Sequence, residues 1–188
     1  MDHDVISGPR GSAIERDQTD PLAPVRQAFD LPQGVVYLDG NSLGPLPKAV
    51  PKAMAQVIER QWGATLIKSW NDHDWINLPS RVGEKIAHLI GAGPGQVICT
   101  DSVSVNLFKV LAAALRLSAR PAKILSEADN FPSDLYLVEG MNALLGAAAP
   151  AFEVAQTDAL LECLDESVSI LLLTQVNFKT GAMHDLAE

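Results

Sequence analysis

The chain has 188 residues, a net charge of −9, and 47% hydrophobic against 20% charged residues. That length can bury a sizeable core and suggests one domain, at most two. The negative balance disfavours nucleic acid or an anionic membrane surface as the main partner, although backbone N–H groups can still build a local phosphate pocket.

Met1-Asp-His-Asp does not read as the start of a signal peptide, and the longest apolar run, Val168 to Thr174, is far too short to span a membrane. Residues 1–18 are polar and aperiodic and read as a mobile arm. Asp20 to Phe29 reads as a short helix, capped by Asp20 with Pro21 at its first position. Val35-Val36-Tyr37-Leu38 is strand-like, and Asp39 to Pro45 is a turn dense in residues that tolerate positive φ. Val50, Met54, Val57, Ile58 and Trp62 recur at near-helical spacing, with Gly63 as the expected stop. Ser69 to Trp75 reads as a polar-aromatic loop, and a second helix starts near Pro79 and ends at Gly91.

After Gly91 the chain alternates: strand over Gln96–Thr100, helix over Val103–Leu117, strand over Ala122–Ser126, helix over Pro132–Leu145, short strand over Phe152–Ala155. Helix is then expected over Asp158–Leu164 with Thr157 as its N-cap, and strand over Ser167–Thr174. The last run has no polar alternation, which implies burial on both faces and a central parallel strand. The alternation predicts an α/β fold, an incomplete doubly wound and mainly parallel sheet with an N-terminal helical segment. Cys99 and Cys163 fall in apolar surroundings and are expected to be buried free thiols, fitting a reducing cytosol. No spacing of Cys and His suggests a metal site.

Three segments have residues suited to chemistry. Glu127 to Tyr136 places Phe131, Pro132, Ser133 and Asp134 at the carboxyl end of a strand, the edge where open α/β sheets bind ligands. Phe131 can lie against a planar heteroaromatic ring and Asp134 can face a cation or a ring nitrogen. Equally, this is a strand-to-helix turn with Pro132 at N1 and Phe131 plugging the core. Asp101 to Leu107 links a strand to a helix whose first N–H groups can hold a phosphate, with Ser102 and Ser104 as further donors; plain N-capping explains it as well. Neither GxGxxG nor GxxxxGK[ST] occurs, so a dinucleotide fold or P-loop is not supported. Leu173 to Gly181 ends the most buried strand, with Thr174 and Asn177 at the sheet edge and Lys179 as a solvated lysine or a nucleophile. His73, between two aspartates, reads as a surface histidine or a base oriented by a carboxylate. His88 falls in the second helix, and His184-Asp185 is expected to open another.

Taken in order, Tyr37-Leu-Asp-Gly-Asn-Ser-Leu-Gly44, Leu66-Ile-Lys-Ser-Trp-Asn71, Val103-Ser-Val-Asn-Leu107, Asn130-Phe-Pro-Ser-Asp134 and Asn177-Phe-Lys-Thr-Gly181 resemble the bacterial kynureninases. These are pyridoxal-phosphate enzymes of the aspartate-aminotransferase fold. The resemblance runs from about residue 20 to the last residue. It implies that Val103 and Ser104 bind the cofactor phosphate and that Phe131 stacks on the pyridine ring. Pro132, Ser133 and Asp134 would complete that segment, and Thr174 would also line the cofactor. Ser42 and Trp70 would contact the substrate, with Trp70 in the bacterial style. The implied reaction is hydrolytic cleavage of L-kynurenine to anthranilate and L-alanine in tryptophan catabolism, by a cytoplasmic homodimer. A leaning toward kynurenine over its 3-hydroxy derivative rests on Trp70.

The resemblance divides the chain into an arm (1–18), a segment with substrate-side loops (19–78) and the first part of the cofactor domain (79–188). Family chains are about twice this length, and their Schiff-base lysine follows a Ser-x-x-Lys-Tyr-like segment. Lys48, Lys52, Lys68, Lys85, Lys109, Lys123 and Lys179 all lack that context, so the chain is expected to be an N-terminal half without turnover of its own. Two other readings stand beside this one: a related lyase of the cysteine-desulfurase type, against which Ser42 and Trp70 argue, and a non-catalytic interaction fragment.

Overall fold

Residues 9–118 and 123–186 are described by the computed structural model, and they fall into two units, Met1–Arg81 and Val82–Glu188.

The first unit opens with α1 (Pro9–Thr19), where the sequence reads as aperiodic. This helix has no apolar stripe to detect; good helix formers such as Glu15, Arg16 and Gln18 support it instead of burial. Residues 1–8 of the expected arm lie outside the described residues. The helix expected from Asp20 is a 3-10 helix, Ala23–Ala28, with Pro24 rather than Pro21 in its first turn. Asp20 still acts as a local cap, its Oδ1 accepting from the Leu22 N–H at 2.8 Å.

β1 (Phe29–Asp30) pairs antiparallel with β2 (Leu46–Pro47). The strand expected over Val35–Leu38 is irregular backbone, with Val36 and Leu38 exposed. Strand propensity alone does not make a strand: its N–H and C=O groups need a neighbour, and none pairs here among the described residues. The turn after it forms as expected. Ser42 and Leu43 both donate backbone N–H groups to the Asp39 carbonyl, at 3.2 and 3.3 Å.

Gly63 does not end the next helix. α2 (Val50–Gln56) widens into a π-helical stretch, Val57–Trp62, and continues as α3 (Gly63–Thr65). Gly63 has helical φ −62° and ψ −31°, and the break falls at Leu66, with φ 49°. The expected loop at Ser69–Trp75 is instead α4 (Ser69–Asp72), a left-handed Asp74 (φ 56°) and a 3-10 turn, Trp75–Asn77. Its polar residues bond locally: Ser69 and Thr65 hydroxyls lie 2.7 Å apart, and Asn77 Nδ2 donates to Asp74 Oδ1 at 2.5 Å. α5 (Leu78–Ile90) follows and stops at Gly91, whose φ of 70° suits a residue without Cβ.

In the second unit Gln96–Thr100, expected as strand, is irregular backbone that joins no sheet among the described residues, and Cys99 is exposed rather than buried. α6 (Val103–Leu117) and α7 (Pro132–Leu145) keep the bounds expected from sequence. β3 (Lys123–Glu127), β4 (Ala151–Ala155) and β5 (Val168–Leu172) form one parallel sheet in the order β4-β3-β5. Ala122, assigned to β3 from sequence, lies outside the described residues. The central strand is therefore β3 and not the apolar run at 168–174; β5 is an edge among the described residues and only partly buried. A run of apolar residues reports demand for burial, but the neighbour that would meet it on the outer side of β5 is absent from this sheet.

Side chains of β3 alternate between two cores. Ile124 packs with Leu111 of α6 and Val138 and Met141 of α7. Leu125 packs on the other face with Ala155 and Leu160. The cover of that second face is two 3-10 turns, Thr157–Ala159 and Leu161–Cys163, where one helix was expected. The connections β3-to-β4 and β4-to-β5 run in opposite directions along the sheet, so crossovers of one hand place them on opposite faces. The architecture is α/β.

Candidate functional site

The carboxyl ends of β3 and β5 and the start of α7 meet on one side chain, Asn130. The backbone reaches it by a tight turn: the Ala128 N–H donates to the Ala155 carbonyl at 2.8 Å and the Asn130 N–H to the Glu127 carbonyl at 3.1 Å. Asn130 is 3% exposed. Its Nδ2 donates to Ser126 Oγ at 3.0 Å and to the Leu172 carbonyl at 3.4 Å. Its Oδ1 accepts the Phe131 N–H at 2.7 Å and the Thr174 hydroxyl at 2.6 Å. Both donors and both acceptor positions of the amide are used, as burial demands.

From this anchor Phe131 leads into α7 with φ −61° and ψ 127°, and Pro132 takes the first helical position. The helix-start geometry expected from sequence is present. The expected plug is not, because Phe131 is 46% exposed. Phe131 and Phe178 pack in a T-shaped pair, 4.9 Å between ring centroids, and Phe131 keeps surface open to solvent. Ser133 Oγ donates to Asp134 Oδ1 at 3.2 Å, which sets a carboxylate in the first turn of α7.

The loop after β5 is held by Asn177, whose Oδ1 accepts the N–H groups of Lys179 and Thr180 at 2.9 and 3.0 Å. Lys179 Nζ lies 3.6 Å from Asp129 Oδ1 and 5.4 Å from the Phe178 ring centroid. An exposed lysine paired with a carboxylate in this way fits the solvated reading.

At the start of α6, Ser102 Oγ accepts the Val105 N–H at 3.4 Å, so the capping reading holds. Val103 and Ser104 occupy the first two helical positions, where no earlier carbonyl is in reach of the N–H groups. Asp101 sits in the left-handed region at φ 50°. It is paired with Lys109, whose hydrogen bond holds the Asp101 carboxyl below its ordinary pKa. Asn106 Nδ2 donates to the Thr100 carbonyl at 2.6 Å, fixing the approach to the helix. α6 packs beside α7, but no hydrogen bond or ring contact joins Val103 or Ser104 to Phe131, Asp134 or Thr174 among the described residues.

In the first unit Ser42 Oγ donates to Asp39 Oδ1 at 2.8 Å. The Tyr37 hydroxyl binds the carbonyls of Asp39 and Leu43 at 3.0 and 2.5 Å. Trp70 stands with its edge toward Trp75, 6.4 Å between centroids, in a cleft that also holds Gln61, His73 and Arg81. Trp75 Nε1 donates to Gln61 Oε1 at 2.7 Å. Among the described residues no carboxylate is bonded to His73: its Nε2 is buried with no hydrogen-bond partner there, while Asp74 bonds Asn77 and Arg81. No hydrogen bond or ring contact links Ser42 with Trp70 among the described residues.

One arrangement escaped the sequence. Glu127, 2% exposed, ends β3 with both carboxylate oxygens 3.1 Å from His184 Nε2, and Oε2 accepts the Thr157 hydroxyl at 3.1 Å. Thr157, expected to cap a helix, serves this carboxylate instead. His184 does not open a helix within the described residues. The partners stand 57 residues apart, so no local spacing announces them.

These features define a class: an α/β protein whose parallel strands end in a cluster of buried amide and hydroxyl groups framing an open aromatic ring. Comparison with known proteins narrows the class to a family. No model of a known protein family matches the chain. By sequence it is a relative of the kynureninases, 46% identical over 181 residues to kynureninases of Burkholderia pseudomallei and Burkholderia mallei, and 45% identical to that of Pseudomonas fluorescens. The match covers 94% of this chain but 44% of each relative. The chain thus spans less than half the length of the curated relatives it matches, consistent with an N-terminal-half fragment.

Proposed function

We propose that this chain supplies part of a pyridoxal-phosphate site in a kynureninase, the enzyme that cleaves L-kynurenine hydrolytically to anthranilate and L-alanine. The observation that carries the reading is the half-open Phe131 ring, fixed at the carboxyl end of β3 beside the Thr174 hydroxyl and the Asp134 carboxylate. The residues fit the group chemically: a flat heteroaromatic ring finds an aromatic face, and a phosphate finds the N–H groups that open α6. When bound, pyridoxal phosphate acts as an electron sink for the substrate's α-carbon.

Each residue has a role in this reading. Val103 and Ser104 hold the phosphate. Phe131 stacks on one face of the ring, Pro132 and Ser133 set the start of α7, and Asp134 stands at the polar edge. Thr174 contributes a hydroxyl from the end of β5. Ser42 and Trp70 belong to the substrate side, Trp70 beside the aromatic amine. This reading assigns the cofactor-bonding lysine to a part of the enzyme outside this chain, and the enzyme to a cytoplasmic homodimer. The larger fold is that of the aspartate-aminotransferase family.

Titration of the chain with pyridoxal phosphate, followed by circular dichroism in the cofactor's absorption band, tests this reading. Phe131→Ala is expected to weaken binding about tenfold, the scale of one aromatic stacking contact. Equal affinity in both proteins overturns the stacking role. Borohydride treatment is expected to leave every lysine unmodified, and a specific adduct on one lysine overturns the assignment of that residue elsewhere. Anthranilate release by the product of the complete gene tests the reaction itself.

A further inference from the structure

The side chains assigned to the cofactor are mobile types on short tethers, and something has to hold them in one frame. Phe131 precedes a helix, Thr174 follows an edge strand, and the two are 43 positions apart in the sequence. The only side chain that bonds both among the described residues is Asn130. It bonds the backbone of one and the hydroxyl of the other through the same oxygen, while its nitrogen is tied to Ser126 and to the Leu172 carbonyl. Ser126 Oγ reinforces this by donating to the same Leu172 carbonyl at 2.8 Å.

We propose that Asn130 is the positioning residue of this site, fixing the Phe131 ring and the Thr174 hydroxyl relative to each other so that a flat heteroaromatic ring meets both at once. The inference rests on the pyridoxal-phosphate reading for the ligand, but the geometry it invokes is present without one. Chemistry explains the residue type. Only a carboxamide offers two donors and two acceptor lone pairs in one plane. Aspartate keeps the acceptors and loses the donors, leaving a carboxylate against the Leu172 carbonyl oxygen. Leucine, closest in volume, would leave the Phe131 N–H and the Thr174 hydroxyl without their partner. Asn130 touches no reacting atom in this scheme; it acts through its neighbours.

Two measurements on the 188-residue chain test the proposal, with Asn130→Ala and Thr174→Val as variants. The first is nuclear Overhauser contact between the Phe131 and Phe178 rings. Asn130→Ala is expected to abolish it while amide resonances of β4 and the middle of α6 stay in place; an unchanged contact overturns the proposal. Thr174→Val deletes a single bond and keeps the variant foldable should the alanine variant fail. It is expected to shift the Asn130 side-chain amide resonance and to weaken the ring contact, and no change in either overturns the proposal. The second measurement is the circular dichroism induced in bound pyridoxal phosphate, which reports orientation. Asn130→Ala is expected to reduce this signal at saturation and to weaken affinity about tenfold. Full signal at saturation with wild-type affinity overturns the positioning role. If the wild-type chain itself gives no induced signal, the cofactor reading fails for this chain, and the ring contact still judges Asn130 separately.

Discussion

At the amino end of β3, opposite the site, Lys123 Nζ lies 3.0 Å from Glu153 Oε2 and 3.6 Å from Asp165 Oδ2. Glu153 is held below its ordinary pKa chiefly by its hydrogen bond to Lys123, and Asp165 chiefly by the Ser167 hydroxyl and N–H, with Lys123 assisting. Lys123 is raised, first by Glu153. Carboxyls lowered on folding contribute stability that is full above their unfolded values, about 4, and is lost as pH falls through the folded ones. A raised lysine contributes below its unfolded value, about 10.4, and that share disappears as pH rises past the folded value. The urea midpoint of the second unit should therefore hold level through neutral pH and drop in acid. Lys123→Met should lower the neutral midpoint and flatten the acid slope; parallel curves for the two proteins would refute the coupling. Ser102→Ala removes the cap of α6 and should cost about 1 kcal/mol in the same assay, the usual worth of such a cap.

Among the elements, α5 and β3 give the sharpest tests. A Cβ on Gly83 would meet the Val97 carbonyl oxygen at 2.1 Å. Gly83→Ala should thus destabilise, although alanine is the better helix former by about 1 kcal/mol. A raised melting temperature would show that the Val97 strand-like segment yields easily. Ile124→Ala opens a cavity between Leu111, Val138 and Met141 and should cost about 2–5 kcal/mol by urea denaturation. The same elements show what the sequence makes legible. α6 and α7 are legible because each has a local start signal, Ser102 and Pro132, and a run rich in apolar residues. Val35–Leu38 and Gln96–Thr100 have strand-like composition without forming strands, because strand formation depends on a neighbour that the segment does not encode. α1 is the opposite case, a helix with no apolar stripe to announce it. At the site, Phe131, Asp134 and Thr174 could be nominated from their places at strand ends. The bonds of Asn130 to Leu172 and Thr174 and of Glu127 to His184 have no local signal, since they span 42, 44 and 57 residues.

For the molecule as a whole, apolar surface is the dominant feature. Val50, Met54, Ile58, Trp62 and Leu66 recur at every fourth position and are each between 39% and 64% exposed. Exposed apolar stretches of this kind mark interaction surfaces or association hazards. The chain should bind a hydrophobic dye and sediment with a concentration-dependent coefficient, and a dye-silent monomer up to high concentration would contradict this. The strand order β4-β3-β5 carries a last consequence, one of timing. β3 is made first and stands in the middle, but Ser126 meets the Leu172 carbonyl 46 residues later. No hairpin can shorten that wait, because parallel partners are never adjacent in the chain. While a ribosome is still delivering β5, the central strand β3, the most buried of the three, has one side bare, so the nascent chain passes through a sticky interval that a slow, long-range closure ends. The cluster around Asn130 can assemble only after that closure, which makes this corner the last part of the sheet to exist.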